Sequence, residues 1–171
     1  MLCVEPQQDP QEALDQFSRR NAPRITVKQG LLGDADRTSV PFAEMGTGSS
    51  VLTSQQSDAT RPMWRMDTLI DNGLAPPDFV KIDVQGYELQ VLAGFEKNLQ
   101  NCQVLQIELS LLPIVPQAPL LHEVIVYLQE RGFVLFDVDE LIRAPSDAAV
   151  WQIDALFCRE SSPLRQQRTW R

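Results

Sequence analysis

The sequence predicts an α/β protein in which a mostly parallel sheet carries helices on both faces. Short β-branched segments alternate along the chain with segments of helical period. The clearest unit is FVKIDVQGYELQVL, residues 79–92, in which an apolar strand stops at Asp83, the chain turns at Gly86 and an amphipathic pattern begins. This order of strand, turn and helix is typical of a parallel sheet with helical crossovers.

The first quarter of the chain predicts a β-α-β unit. Residues 1–4 form a strand that starts at once, and residues 24–29 alternate as a second strand. We expect Asp9 to cap the helix between them, with Pro10 at the first helical position and Glu12 at the third, in a capping-box arrangement.

The next segment is rich in turns and polar residues. Residues 30–36 predict a turn-rich connection and residues 38–42 a short additional strand. Residues 46–60 contain mostly Gly, Ser, Thr and Gln, which indicates a flexible lid or substrate loop. The GTGSS string at 46–50 follows no clear strand, opens no helix and lacks a P-loop lysine, so a phosphate cradle is disfavoured.

The remaining elements continue the alternation. Asp67 is expected to cap a short helix that ends at Gly73, and the apolar period after Asp83 predicts a helix that extends toward Leu99. We expect the last two strands to pair as antiparallel neighbours. The predicted strands are 61–66, 79–82, 102–109, 133–138 and 149–158, and a further helix covers 121 to about 132.

Size and charge restrict the class of protein. The 171 residues predict one domain over 1–160, with 161–171 as a frayed tail or, less favoured, a weak basic contact site. A net charge of −8 argues against a nucleic-acid partner. No apolar run reaches the roughly 18–20 residues that span a bilayer, and no signal peptide is visible, so we expect a cytoplasmic protein.

Cysteine and histidine are sparse. Cys3, Cys102 and Cys158 lie in apolar strand-like segments and are expected to be reduced core residues. The single histidine, His122, is expected at the surface or at a helix cap. A His/Cys metal cluster or a Ser-His-Asp triad therefore has little support, and we expect no metal.

Acidic residues follow the predicted strands. Asp83 ends the central strand, Glu88 lies in the first turn of the next helix, and Glu108 is near the end of the 102–109 strand. Ligands bind at the carboxyl ends of strands in open α/β sheets, which favours a functional site at Asp83. A helix cap for Asp83 and a dipole-complementing role for Glu88 are the structural alternatives, and the pattern alone leaves both open.

The string K-I-D-V-Q-G-Y-E-L-x-V-L-x-G, residues 81–94, closely resembles the hallmark of the FkbM-type family of S-adenosylmethionine-dependent methyltransferases. That family usually has Glu at the position of Gln85. Residues 4–6, Val-Glu-Pro, resemble the family's F-E-P, and residues 66–69 resemble its L-D-x-L. The resemblance covers residues 4–109 well and the remainder by topology only.

This resemblance implies a Rossmann-like class I methyltransferase sheet, mostly parallel with an antiparallel last strand, and S-adenosyl-L-methionine as cofactor. Glu5 alone would be a solvated charge at a strand end, but the family places an acid there that holds the cofactor's ribose. A carboxylate can accept hydrogen bonds from both hydroxyls of a diol. The residues implied for cofactor binding are Glu5, Gly33, Asp34 and Asp83, and those implied for catalysis are Asp83, Glu88 and Glu108.

One family feature is missing from the sequence. The family opens with a first strand and a glycine-rich turn of the form D-x-G-A-N-x-G, and nothing of that kind precedes Leu2. That strand would lie between the family's second strand and the strand carrying Asp83, and its loss leaves a gap of roughly two spacings of about 4.8 Å. Closure of the gap, a strand from a partner chain in a homodimer, and an N-terminally truncated sequence are the alternatives, of which we favour the third.

The expected reaction is transfer of a methyl group from S-adenosyl-L-methionine to a hydroxyl of a sugar or natural product. The partner would be a small-molecule or glycan acceptor, with Asp83 shaping its side of the pocket. A non-catalytic remnant or binding module is the alternative, supported by the missing glycine-rich turn. A nucleotide-binding reductase is disfavoured because no G-x-G-x-x-G follows a strand.

Overall fold

The computed structural model describes residues 1–42, 44, 46, 49–52, 57 and 59–166. These residues form a mixed α/β protein, as predicted. In chain order the elements are β1 (Leu2–Glu5), α1 (Gln8–Arg20), β2 (Thr26–Gln29), β3 (Leu31–Leu32), β4 (Arg37–Pro41), β5 (Thr60–Trp64), α2 (Met66–Asp71), β6 (Phe79–Ile82), α3 (Glu88–Ala93), β7 (Val104–Ser110), α4 (Leu121–Gln129), β8 (Phe133–Arg143) and β9 (Val150–Arg159). Short 3-10 helices cover Leu99–Asn101 and Pro163–Arg165.

The strands of the described residues form three hydrogen-bonded sheets rather than one continuous sheet. β1 pairs with β2 in parallel, and β5 lies between β3, which is parallel to it, and β4, which is antiparallel. The third sheet has the order β6-β7-β9-β8. β9 is antiparallel to both of its neighbours, which confirms the predicted pairing of the last two strands.

The two faces of the four-stranded sheet differ in chemistry. On β7, Leu105, Ile107 and Leu109 are at most 1% exposed and belong to the core cluster that also contains buried residues of α3 and α4. The alternate side chains point to the opposite face, because side chains alternate along a strand. We call this the polar face and define it by Lys81, Gln106, Glu108, Gln152 and Asp154.

Arg159 fixes β9 against the rest of this sheet. Its guanidinium donates to the carbonyls of Cys102 at 3.0 Å, Arg131 at 3.0 Å and Leu99 at 2.5 Å. It also lies 4.1 Å from the ring centroid of Phe133. A planar cation with several donors can satisfy carbonyls from separate segments at once, and this holds β9 in one register with β7.

The predicted helix caps at Asp9 and Asp67 are wrong. Helix α1 begins at Gln8 with Gln7 as the N-cap residue, so Asp9 lies in the first turn. Helix α2 begins at Met66 after Arg65, so Asp67 is also inside the helix. An acid in the first turn still complements the helix dipole, which explains why these sequences resemble caps.

Asp67 has a different structural role. It is 2% exposed, and its Oδ1 accepts hydrogen bonds from the backbone N–H of Asn98 at 3.1 Å and from the Asn98 amide at 3.0 Å. Its Oδ2 accepts the backbone N–H of Lys97 at 3.0 Å and the Arg65 guanidinium at 3.2 Å. A buried carboxylate needs such partners, and here they join α2 to the segment after α3.

Helix α3 is shorter than the apolar period predicts. It ends at Ala93, and the Gly94 carbonyl accepts the backbone N–H of Asp67 at 2.9 Å instead of a donor of its own helix. The apolar residues beyond it, Phe95 and Leu99, are nevertheless at most 2% exposed. The period therefore identified buried positions correctly and overestimated the length of the helix. Residues 30–36 likewise contain a short strand, β3, within the predicted turn-rich connection.

Cys102 and Cys158 are buried free thiols, and burial raises the pKa of the Cys102 thiol to about 11. Cys3 is a free thiol of intermediate exposure. His122 is exposed on α4, as expected. In the part of the chain described above, no helix combines the length and apolar character needed to cross a membrane.

Two predicted segments are described only in part. Of the predicted lid or substrate loop at 46–60, residues 47, 48, 53–56 and 58 lie outside the described residues. Of the predicted tail, residues 163–165 form a 3-10 helix, and residues 167–171 lie outside the described residues.

Candidate active site

The loop from Asp83 to Tyr87 joins β6 to α3 and has an unusual backbone. Gln85 has φ +50° and Gly86 has φ +101°, both in the left-handed region. A Cβ atom at Gly86 would lie 2.6 Å from the Cβ of Ala118, which leaves no room for a side chain. Gly86 thus permits both the turn and the close approach of the segment that follows β7.

The structure brings Asp83, Glu88 and Glu108 together at the carboxyl ends of β6 and β7. The Gln85 amide donates to Asp83 Oδ1 at 3.2 Å and also to Glu108 Oε1. The charges of Glu108 and Asp83 act on Glu88 and contribute to its raised pKa. The predicted acidic group is therefore one cluster around a single loop.

Glu88 is the buried member of the cluster. Its side chain lies in the first turn of α3, it is 4% exposed, and its Oε1 accepts the backbone N–H of Gly86 at 2.8 Å. Burial is the main cause that raises its pKa to about 7, while the Gly86 hydrogen bond opposes the shift. Near neutral pH, Glu88 can therefore both give and take a proton.

Replacement of Glu88 by Gln is expected to change how stability depends on pH. The pKa of Glu88 is raised in the folded state to about 7 from 4.5, so the folded chain binds more protons than the unfolded chain within that window. The free energy of unfolding of the wild type should therefore fall, relative to that of E88Q, by about 2–3 kcal/mol from pH 5 to pH 8. Urea denaturation of both proteins at the two pH values measures this difference. An equal pH dependence in the two proteins would contradict the raised pKa.

Glu108 is half-buried on the polar face and is surrounded by amides and charges. The Gln152 amide donates to its Oε1 at 2.8 Å, in addition to the Gln85 amide. Burial raises the pKa of Glu108, the Asp83 charge raises it further, and the Gln85 hydrogen bond opposes these effects. Lys81 Nζ lies 3.5 Å from Asp83 and 3.8 Å from Asp154, so it partly neutralises the cluster.

Gly33 and Asp34 belong to the turn after β3, which lies beside the ring of Tyr87. A Cβ atom at Gly33 would be 3.0 Å from Cε1 of Tyr87, the residue before Glu88. Asp34 forms an exposed ion pair with Arg37 at 3.1 Å. A side-chain hydrogen bond with Tyr87 is the main cause that raises the pKa of Arg37. The turn after β3 is thus connected to the start of α3.

Glu5 ends β1, and its Oε1 accepts the backbone N–H of Gln7 at 2.8 Å. The Glu5 carbonyl accepts the N–H of Gly30, just before β3, at 3.1 Å. This contact places the end of β1 beside the short segment that leads to Gly33. Among the described residues, no hydrogen bond or ion pair joins the Glu5 carboxylate to Asp83, Glu88 or Glu108.

Gln152, Asp154 and Lys81 complete the cluster, and sequence reasoning did not assign them to it. Asp154 stands opposite Glu108 in the β7–β9 register, and Gln152 stands opposite Ser110. The alternation of polar and apolar residues on both strands could have predicted that these side chains share a face. The sequence of neither strand, however, specifies which residues pair across the two strands. The described residues hold no group of three or more His, Cys, Asp or Glu side chains placed to bind a metal ion.

A cavity of about 380 Å³ lies elsewhere, between β1, β2, β5 and α2. Leu2, Lys28, Trp64 and Leu69 are among its lining residues, and none of the sequence-predicted site residues lines it. Lys28 Nζ lies 5.3 Å from the ring centroid of Trp64, so the ammonium group at this cavity forms a cation–π interaction with that ring.

Comparison with known proteins identifies the class. Residues 4–135 match the model of the methyltransferase FkbM domain. The chain therefore belongs to the FkbM methyltransferase family. It is also 29% identical over 148 residues to the hexuronic acid methyltransferase AglP of Haloferax volcanii, an alignment that covers 79% of this chain and 60% of that protein. The chain thus spans less than two thirds of the length of this relative, and no solved structure matches it significantly.

Proposed function

We propose that the protein transfers a methyl group from S-adenosyl-L-methionine to a hydroxyl oxygen of a sugar or another small molecule. The observation that carries the proposal is the convergence of Asp83, Glu88 and Glu108 at the carboxyl ends of two parallel strands. This is where open α/β sheets bind their ligands. Membership of the FkbM family supplies the class of reaction.

The order of the third sheet supports a Rossmann-like class I arrangement. β6, β7 and β8 run in one direction, and β9 lies antiparallel between β7 and β8. A single antiparallel strand near the end of the chain is what the resemblance implies. The ends of β1 and β6 then provide acids on which a cofactor with a ribose could be held.

The residues present suit this cofactor chemically. Glu5 would accept hydrogen bonds from the ribose hydroxyls, because a carboxylate is a pure acceptor and its Oε2 receives no hydrogen bond within the described residues. Gly33 and Asp34 would lie near the adenine, and Asp83 would lie near the methyl-bearing end. When bound, S-adenosyl-L-methionine supplies an electrophilic methyl group on a sulfonium.

The acids of the cluster then have separate tasks. Asp83, whose side chain is 43% exposed, accepts a hydrogen bond from the acceptor hydroxyl and aligns its oxygen for in-line displacement. The new C–O bond would form as the sulfur–methyl bond breaks and S-adenosylhomocysteine leaves, and the hydroxyl proton would pass to a carboxylate of the cluster. Glu88 suits the relay of that proton, because its raised pKa lies near neutral pH.

A sugar is the proposed acceptor because the relative in Haloferax volcanii is named a hexuronic acid methyltransferase. The first test is calorimetric titration of the 171-residue chain with S-adenosylhomocysteine, followed by methyl transfer from S-adenosyl-L-methionine to a panel of neutral and acidic sugars. Micromolar binding and transfer to one of these hydroxyls is the expected result. A folded chain that binds no S-adenosylhomocysteine would overturn the assignment for this chain.

A further inference from the structure

We propose that Gln85 and Gln152 are positioning residues that clamp one oxygen of Glu108 and thereby present its other oxygen to a neighbouring hydroxyl of the acceptor. We call this pair the amide clamp. The inference deepens the proposed function and rests on it for the identity of the hydroxyl. The clamp itself is a property of the ligand-free chain and can be tested without cofactor or acceptor.

The geometry of the clamp is asymmetric. Both amide nitrogens donate to the same atom, Glu108 Oε1, with Gln152 Nε2 at 2.8 Å. Gln152 Nε2 also lies 3.4 Å from Gln85 Oε1, so the two amides are joined to each other. Within the described part of the chain, Oε2 of Glu108 receives no hydrogen bond. One oxygen is therefore held by the protein, and the other remains available as an acceptor.

The backbone at Gln85 supports a role for its side chain. Gln85 has φ +50°, a left-handed conformation that residues with a Cβ atom rarely adopt because the Cβ atom crowds the following carbonyl oxygen. This conformation lets one amide group reach Asp83 Oδ1 at 3.2 Å and Glu108 at the same time. Strained residues of this kind persist where surrounding contacts hold them, and they concentrate at functional sites.

The choice of an amide matters because the surroundings of Glu108 are acidic. Asp83 from the end of β6, Glu88 from α3 and Asp154 from β9 all face this region, and Lys81 is the cation among them. A carboxylate at position 85 would add a further negative charge between Asp83 and Glu108. An amide instead donates to both acids, and its hydrogen bond to Glu108 opposes the rise in the pKa of that carboxyl.

The test is to titrate the Glu108 carboxyl by carbon-13 NMR in the ligand-free 171-residue chain. Replacement of Gln152 or Gln85 by Ala should raise the pKa of Glu108 by about one unit, because each variant removes a donor to the charged form. Replacement of Gln85 by Glu should raise it further. Gln106 is the matched control, since it lies on the same polar face but donates to Asp154 at 3.0 Å.

Q106A should leave the pKa of Glu108 within about 0.3 units of the wild-type value, because electrostatic interactions weaken with distance. Thermal unfolding identifies any variant that fails to fold, and the two single variants give independent readings of the clamp. An unchanged Glu108 pKa in folded Q152A and Q85A would overturn the proposal. That result is separable from a failure of the proposed function, which S-adenosylhomocysteine titration of the wild type decides.

Discussion

Replacement of Asp83 by Ala is expected to reduce methyl transfer by about 10²- to 10⁴-fold while the fold stays intact. Asp83 stands at the carboxyl end of β6, and its carboxylate faces Gln85 in the loop and Glu88 at the start of α3. Loss of the carboxylate would remove the acceptor that aligns the substrate hydroxyl. The measurement is the initial rate of methyl transfer at saturating S-adenosyl-L-methionine.

The fold should survive because the contacts of Asp83 are those of an exposed side chain. Its ion pair with Lys81 spans 3.5 Å with both side chains more than 40% exposed, and such pairs contribute about 0–1 kcal/mol. Replacement of Glu12, an exposed acid on α1, by Ala removes the same charge far from the cluster and should leave the rate unchanged. A rate for D83A within about threefold of the wild type would remove Asp83 from the mechanism.

Replacement of Gly94 by Ala is expected to lower the free energy of unfolding by about 3 kcal/mol. Gly94 has φ −71°, which any residue can adopt, so the backbone itself does not exclude Ala. The obstacle is space, because a Cβ atom would lie 1.9 Å from the carbonyl oxygen of Gly33 and 3.5 Å from Cα of Arg65. The clash is with backbone, and a change of rotamer cannot relieve it.

Gly73 provides the matched control for Gly94. It has φ +103°, and a Cβ atom there would meet nothing within 4 Å. Gly73→Ala therefore carries conformational strain without a clash and should cost about 1–2 kcal/mol. Urea denaturation of both variants compares the two effects. If G94A is as stable as G73A or more stable, the close approach of Gly94 to Gly33 is not a determinant of the fold.

Local sequence patterns predicted the elements that carry the candidate site. The strand before Asp83, the turn at Gly86 and the acid at Glu88 lie within ten residues of one another, so turn chemistry and period were sufficient to place them. The antiparallel pairing of β8 and β9 was likewise predicted. The resemblance of residues 81–94 to the family hallmark then assigned the class, which the match over residues 4–135 confirms.

Features that depend on tertiary contacts were not predictable from the sequence. Gln152 reaches Glu108 only because β9 pairs with β7 in one particular register, and Arg159 helps to fix that register from three carbonyls in other segments. Asp67 resembled a helix cap because its true donors, the backbone N–H groups of Lys97 and Asn98, lie about 30 residues away. The division of the strands into three sheets is also a property of long-range pairing.

The alternation along β7 has a consequence for how such a protein can diverge. Leu105, Ile107 and Leu109 belong to the buried core, whereas Gln106 and Glu108, on the same strand, face away from it. A single substitution on the polar face can therefore change the chemistry offered to a substrate while the apolar residues that specify the fold stay as they are. Recognition and folding are encoded at interleaved positions of one strand, so selection can alter the first without disturbing the second.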